Sequence, residues 1–189
     1  MNILIRKESP ADVAAIEAVT IAAFLNATHT SHTEQLILNA LRQSGQLSVS
    51  LVAVENDAIV GHVAVSPVAV SDSTAGWYGL GPISVMPERQ RQGIGGQLIK
   101  QALSELRRLG AAGCVVLGDP HYYSRFGFRA EPSLALPGVP PEYFQAIVFA
   151  GSLPAGEVSY HASFAANSRQ VRHRVVIDQK RSFGKITKS

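Results

Sequence analysis

Residues 81–96 read Gly81-Pro82-Ile83-Ser84-Val85-Met86-Pro87-Glu88-Arg89-Gln90-Arg91-Gln92-Gly93-Ile94-Gly95-Gly96, and their two halves ask for different structures. Trp77 to Met86 has the composition of a strand but is interrupted by Gly79, Gly81 and Pro82. Glycine and proline inside a strand mark a bulge, or a place where another backbone or a ligand comes close. Beyond Pro87, the run Gln90-x-x-Gly93-x-Gly95-Gly96 leads into Leu98, Ala102, Leu103 and Leu106, the spacing of an amphipathic helix that stops near Gly110. Unpaired N–H groups and the positive end of the dipole meet at a helix N-terminus, so a glycine-rich approach to one is an anion site. Two nucleotide patterns fail here. A Walker loop needs Gly-Lys-Ser/Thr, but Gly96 is followed by Gln97 and Leu98; a dinucleotide fingerprint needs glycine where Leu98 stands.

Upstream, Asn2 to Arg6 reads as a first strand. Ser9-Pro10-Ala11-Asp12 supplies a capping hydroxyl, a helix-opening proline and a first-turn acid for a helix through Phe24. Ser31-x-x-Glu34 is a capping-box pattern and predicts a second helix from Ser31 to Gly45. Leu47–Val54 and Ala58–Val65, joined by Glu55-Asn56-Asp57, predict a hairpin whose second strand ends at Pro67. Downstream, Cys114 to Leu117 is a buried strand and Gly118-Asp119-Pro120 turns the chain into His121–Phe128, which reads as one helical turn feeding another strand. Residues 132–141 read as a loop, and Tyr143–Phe149 and Glu157–Ser163 as closing strands. The order β-α-α-β-β-β-α-β-α-β-β predicts an α/β fold with one mixed, mostly antiparallel sheet flanked by helices.

The chain has 189 residues, 46% hydrophobic and 16% charged, enough apolar material for one core and too little charge for a disordered chain. A single cysteine excludes a disulfide framework and a zinc ribbon, and Cys114 reads as inert core. Arg6, Lys7 and Glu8 stand where a signal peptide needs its apolar region, which predicts a cytoplasmic protein without a membrane partner. The net charge of +3 conceals an asymmetry: residues 169–189 hold seven Lys or Arg against one Asp, so the body is net acidic. Nucleic acid is therefore not expected as the body's partner, and the basic tail reads as a solvated appendage. His29, His32 and Glu34 have the spacing of metal ligands, but the capping role accounts for Glu34 and no metal is expected. His62 and His121 are candidate lining of an acceptor cleft. No G-x-S-x-G elbow is present to support a hydrolase triad.

The segment Gln90-Arg91-Gln92-Gly93-Ile94-Gly95 resembles the Gln/Arg-x-x-Gly-x-Gly/Ala signature of the GNAT superfamily of acyl-CoA-dependent N-acyltransferases. Gly81 to Pro87 looks like that family's bulged strand, and Tyr123-Ser124-Arg125-Phe126-Gly127-Phe128 is similar to its Tyr-x-x-x-Gly-Phe segment. Leu80-Gly81-Pro82, Val116 to Pro120 and Val158-x-Tyr160-His161-x-x-Phe164 resemble the YhbS-like subgroup. The likeness covers residues 2–164, so residues 1–164 are expected to form the GNAT domain and 165–189 a tail outside its core.

The resemblance implies a GNAT-type N-acetyltransferase that moves an acetyl group from acetyl-CoA to a primary amine of a small molecule or protein by direct attack. The alternative is a CoA-binding sensor or partner-binding module without turnover. A homodimer is compatible with either. The likeness further implies that the backbone of Arg91, Gln92, Gly93, Ile94, Gly95 and Gly96 holds the CoA pyrophosphate. Ile83, Ser84 and Val85 would pair with the pantetheine arm, and Tyr123 would protonate the departing thiolate. The bulge offers Leu80 and Gly81, neither of which can accept the amine proton.

Overall fold

In the computed structural model, which describes residues 2–25 and 32–165, β1 (Leu4–Lys7) lies antiparallel to β2 (Val49–Glu55) at the edge of the sheet. Between them, a 3-10 turn at Pro10–Asp12 leads into α1 (Val13–Phe24), and α2 (Glu34–Gln43) follows. The second helix begins later than the sequence pattern predicts: Thr33 stands at its N-cap, and Ser31 lies outside the described residues. The predicted hairpin forms between β2 and β3 (Ala58–Val70). Its turn residues, Asn56 and Asp57, both take positive φ (48° and 63°), which matches the twist of a two-residue hairpin.

β3 does not stop at Pro67 as predicted but runs on to Val70. The reason is a change of neighbour along one edge. β2 leaves β3 at Val65, and β9 (Gly156–Tyr160) joins at Val68, so Pro67 falls in the gap where that edge demands no ladder bond from its nitrogen. β4 (Trp77–Val85) pairs with the other edge of β3, and one extra β4 residue is accommodated between the pairs Val63–Ile83 and Val65–Leu80. That is the bulge expected at Gly81-Pro82.

α3 (Ile94–Arg108) crosses over to β5 (Gly113–Leu117), which pairs parallel with β4. The turn of α4 (Pro120–Tyr123) leads to β6 (Arg129–Ala130), β7 (Leu134–Ala135) and β8 (Phe144–Val148). The described strands form a nine-stranded sheet with the path β1-β2-β3-β4-β5-β8-β6, and β9 links β3 to β7. Two details differ from expectation. Residues 132–141, read as a loop, contain β7, which is only two residues long and is held by β9; β9 itself ends at Tyr160, followed by a 3-10 turn at Ala162–Ala165.

One face of the sheet is covered by α3, which buries Ile94, Leu98, Ile99, Ala102, Leu103 and Leu106 against Leu51, Val63, Val65, Leu80, Cys114 and Val116. Each large aliphatic side chain fully removed from water contributes about 1.5–3 kcal/mol before entropy is charged. The opposite face has two coverings. Ile16 of α1 and Leu38 of α2 pack on Val52 and Ala64, while Leu134 and Val158 pack on Val70, Trp77, Val115 and Phe144.

Candidate active site

β4 and β5 stay paired only from Trp77–Gly113 to Leu80–Val116, and then part. From Gly81 to Val85, β4 is paired with β3 on one side and keeps an open edge on the other among the described residues. A groove of about 870 Å³ runs from this edge to the start of α3. Ile83 and Val85 form one wall, and Arg91, Gly93, Ile94, Gly95 and Gly96 form its end. Two predicted residues turn their side chains elsewhere. Ser84 is buried on the opposite face, with its Oγ 3.3 Å from Thr20 Oγ1 of α1, and Gln92 donates from Nε2 to the Glu88 carbonyl at 3.1 Å. A smaller cleft of about 300 Å³ under the β3–β4 hairpin contains none of the predicted site residues.

The loop into α3 has two left-handed residues and a tie to β4. Arg91 (φ 60°) and Gly93 (φ 84°) are both left-handed, a conformation that side-chain-bearing residues adopt at a cost and that clusters at ligand clamps. Gln90 donates from Nε2 to the Val85 carbonyl at 3.1 Å and so ties the loop to the end of β4. The first N–H groups of α3 lack intrahelical acceptors. A Cβ added at Gly95 would stand 3.0 Å from the Tyr122 hydroxyl, so the glycine keeps the floor of the cradle open. Arg89, Lys100 and Arg125 also line the groove; Arg89 is paired with Glu55 at 2.6 Å, and Arg91, Lys100 and Arg125 bring positive charge to it. Sequence reading missed Arg89, Lys100 and Arg125. Lys100 had a usable signal, since it lies four residues beyond Gly96 and hence on the same helical face.

Tyr122 lines the groove, whereas Tyr123 does not. The guanidinium of Arg125 lies 4.5 Å from the centre of the Tyr122 ring. Tyr123 is 8% exposed and packs edge-on to Tyr122 (5.1 Å) and Phe128 (6.0 Å). Its ring fits against Gly118, just past the end of β5, where a Cβ would come within 2.5 Å of Cε2. Burial, with Tyr122 adding to it, pushes the Tyr123 phenol well above its ordinary range; burial also raises Tyr122, with Arg125 pulling the other way. Both phenols are therefore protonated at neutral pH.

The other sequence candidates fall outside the groove. Cys114 is fully buried and burial pushes its thiol up, so it is inert core. His121 is exposed at the start of α4. His62, expected in a cleft, has no exposed surface. It lies in a polar cluster where its Nε2 is 2.8 Å from Ser50 Oγ and 3.6 Å from Glu8, which in turn accepts two hydrogen bonds from Arg42 at 2.8 and 3.0 Å. Of the suggested metal trio, His29 lies outside the described residues, and no His, Cys, Asp or Glu cluster suited to a metal occurs among those described. No helix among the described residues is long and apolar enough to cross a membrane.

Residues 46–130 match the family model described as an acetyltransferase (GNAT) domain. The uncharacterized N-acetyltransferase YhbS of Escherichia coli K12 is 38% identical over 127 residues, which are 67% of this chain and 73% of YhbS. A GNAT family acetyltransferase from Brucella melitensis, solved with acetyl-CoA, superposes with a TM-score of 0.78 at 47% identity, covering 86% of this chain and 98% of the other. Escherichia coli YhbS, solved with CoA, also gives 0.78, at 34% identity, covering 88% and 94%. Sequence likeness, the bulged strand with its open edge and the glycine-rich start of α3 agree, and this chain belongs to the GNAT acetyltransferase family.

Proposed function

We propose that this acetyltransferase takes its acetyl group from acetyl-CoA and passes it to a primary amine by direct attack. The observation that carries the reading is the groove between the glycine-rich start of α3 and the open edge of β4 at Ile83 and Val85, an edge that begins where β4 and β5 part after Leu80–Val116. Its proportions suit the cosubstrate. The pantetheine arm has about twelve bonds between phosphate and sulfur, the span of about four extended peptide residues, or about 14 Å. Val85 and Gly81 are four residues apart on β4. A Cβ at Gly95 would lie 3.8 Å from Val85, so a pyrophosphate held at Arg91–Gly96 would start the arm near Val85 and bring the thioester close to the fork, with the backbone of Ile83–Val85 available to the arm's amides as to an added strand.

The chemistry needed there is modest. The lone pair of a neutral amine forms the C–N bond, the C–S bond breaks, and sulfur leaves with the electron pair. Tyr123, at the β5 side of the fork, supplies a proton to that sulfur, while Tyr122 and its stacked Arg125 form the wall of the cosubstrate groove. The amine's surplus proton goes to solvent, which restores the Tyr123 phenol. The products are an acetamide and CoA thiol.

The test is release of free CoA from acetyl-CoA across polyamines, amino acids, aminoglycosides and lysine peptides. Turnover with at least one primary amine is expected. Tight acetyl-CoA binding with no amine-dependent release would leave a CoA-binding module instead.

A further inference from the structure

Tyr160 is the last residue of β9, registered against Val68 of β3, and nothing in the acetyl-transfer scheme uses it. Its ring lies directly on the backbone of β4. A Cβ built at Gly79 would sit 2.4 Å from Tyr160 Cε1 and 3.1 Å from Cζ, so only glycine admits the ring there. Gly79 is opposite Val115, one pair before Leu80–Val116, where β4 and β5 part. Tyr160 thus stands beside the fork on the β4 strand, as Tyr123 stands beside it against Gly118 on the β5 side.

The two phenols approach from different directions. Side chains alternate along β4: Tyr78 and Leu80 join the cluster beneath α3, whereas Trp77 joins the cluster on the other face. Gly79 therefore faces away from α3, and Tyr160, which covers it, belongs with Trp77 and Val158 on that opposite face. The cosubstrate groove, by contrast, is walled by Ile83 and Val85, which pack with the α3-side cluster. A cosubstrate that enters the fork from the α3 side leaves the opposite side of its thioester carbonyl for the nucleophile. The opposite side is where the α1–α2 layer and the β7–β9 segment cover separate halves of the sheet, with the 3-10 turn after Tyr160 packed against α2.

The hydroxyl is also chemically available. The ring is anchored by Gly79, by Val68 and by Phe164, whose ring centre is 4.8 Å away, yet the phenolic oxygen makes no hydrogen bond to any described residue. A largely buried tyrosine normally finds a partner for its hydroxyl. Burial, with Cys114 and Tyr123 adding to it, raises this phenol well above its ordinary range. Cζ, the carbon that carries the hydroxyl, is among the atoms nearest to Gly79, so the hydroxyl end of the ring lies at β4 beside the fork.

We propose that the Tyr160 hydroxyl receives the acceptor: its oxygen takes one N–H of the attacking amine in a hydrogen bond and holds the nitrogen lone pair towards the thioester carbonyl at the β4–β5 fork. This rests on the acetyl-transfer reading above. Tyr160 keeps its own proton throughout. The amine contributes its lone pair to carbon and loses one proton to solvent, sulfur takes the C–S pair and a proton from Tyr123, and no further reactant is required. A hydrogen bond of this kind orders the amine without holding the cosubstrate, so it belongs to the acceptor's kinetic constants alone.

The test compares wild type, Tyr160→Phe and Tyr123→Phe with the best amine among spermidine, lysine, kanamycin and a lysine peptide. Tyr160→Phe retains the ring against Gly79 and removes an oxygen that has no hydrogen-bond partner among the described residues, so its melting temperature should match wild type. Expected is a rise of about tenfold in the amine KM, the usual consequence of losing one substrate hydrogen bond, with the acetyl-CoA dissociation constant unchanged by calorimetry. Tyr123→Phe should instead lower kcat and leave the amine KM in place. Wild-type amine constants in Tyr160→Phe, or an equal loss of acetyl-CoA affinity, would overturn the assignment while leaving acetyl transfer standing. Wild-type protein that acetylates none of these amines would overturn both.

Discussion

Gly95 and Tyr122 in the groove and Tyr123 behind it make separable demands. Gly95 leaves room beneath the Tyr122 hydroxyl, so Gly95→Glu brings both bulk and a negative charge to the place proposed for the pyrophosphate. Acetyl-CoA affinity should fall by well over tenfold, measured by calorimetry, with little change in melting temperature, because residue 95 is only partly buried. Tyr123→Phe deletes the one phenol proposed to donate to sulfur, and turnover should fall about 10²–10⁴-fold if thiolate departure limits the rate. Tyr122→Phe should act chiefly on the KM for acetyl-CoA, since this ring lines the groove. Equal, near-wild-type turnover in both variants would reduce Tyr123 to a packing residue. At this scale the sequence was readable where a feature is carried by contiguous residues, as in the glycine-rich helix start at Gln90–Gly96. It was opaque for Tyr160 over Gly79, a contact between residues 81 positions apart that leaves no local spacing to recognise.

Among the elements, the loop after β1, α2, β2 and β3 are joined by the cluster Glu8, Arg42, Ser50 and His62. The Ser50 hydroxyl donates to Glu8, so it accepts from His62, which fixes the imidazole proton on Nε2. Burial holds His62 below its ordinary range despite the attraction of Glu8, and Arg42 works in the same direction as burial. Burial opposes ionisation of Glu8, but the nearby His62 N–H and the hydrogen bonds from Arg42 and Ser50 outweigh it and hold that carboxyl well below the usual range. Both groups bind protons less readily folded than unfolded, so both withdraw stability as pH falls. The His62 contribution is complete above about pH 6.5 and lost on acidification from there; that of Glu8 is complete above about pH 4.3 and lost below it. Thermal melts should therefore decline in two stages, and His62→Gln should abolish the first. A flat melting temperature from pH 7 to 5 in the wild type would refute this. The same elements show what periodicity conveys. The alternation in β2 and β3 predicted their hairpin, but Pro67 read as a terminator because one strand's pattern does not reveal where its neighbour is exchanged for another.

For the molecule as a whole, we propose that residues 1–164 suffice for chemistry. The two covered faces and the groove are built from residues 2–165, and the cationic stretch 169–189 lies outside the described residues. A chain ending at Ser168 should keep both its melting temperature and its acetyl-CoA affinity. Loss of either would mean that Val175, Val176 and Ile177 contribute a packed element.

β3 runs thirteen residues between β4 on one edge and, in turn, β2 and β9 on the other, whereas β9 is held to it by the pairs Val68–Tyr160, Ala69–Ser159 and Val70–Val158 and to the two-residue β7. Amide protons record such inequality as time. Those of β3 should exchange with deuterium only when the whole molecule unfolds, while those of Gly156–Tyr160 should exchange far earlier through local detachment of the segment. Each detachment would lift Tyr160 off Gly79 and leave the α3-side groove intact. The cosubstrate would then reside on a permanent surface, and the acceptor on one that is repeatedly dismantled and rebuilt.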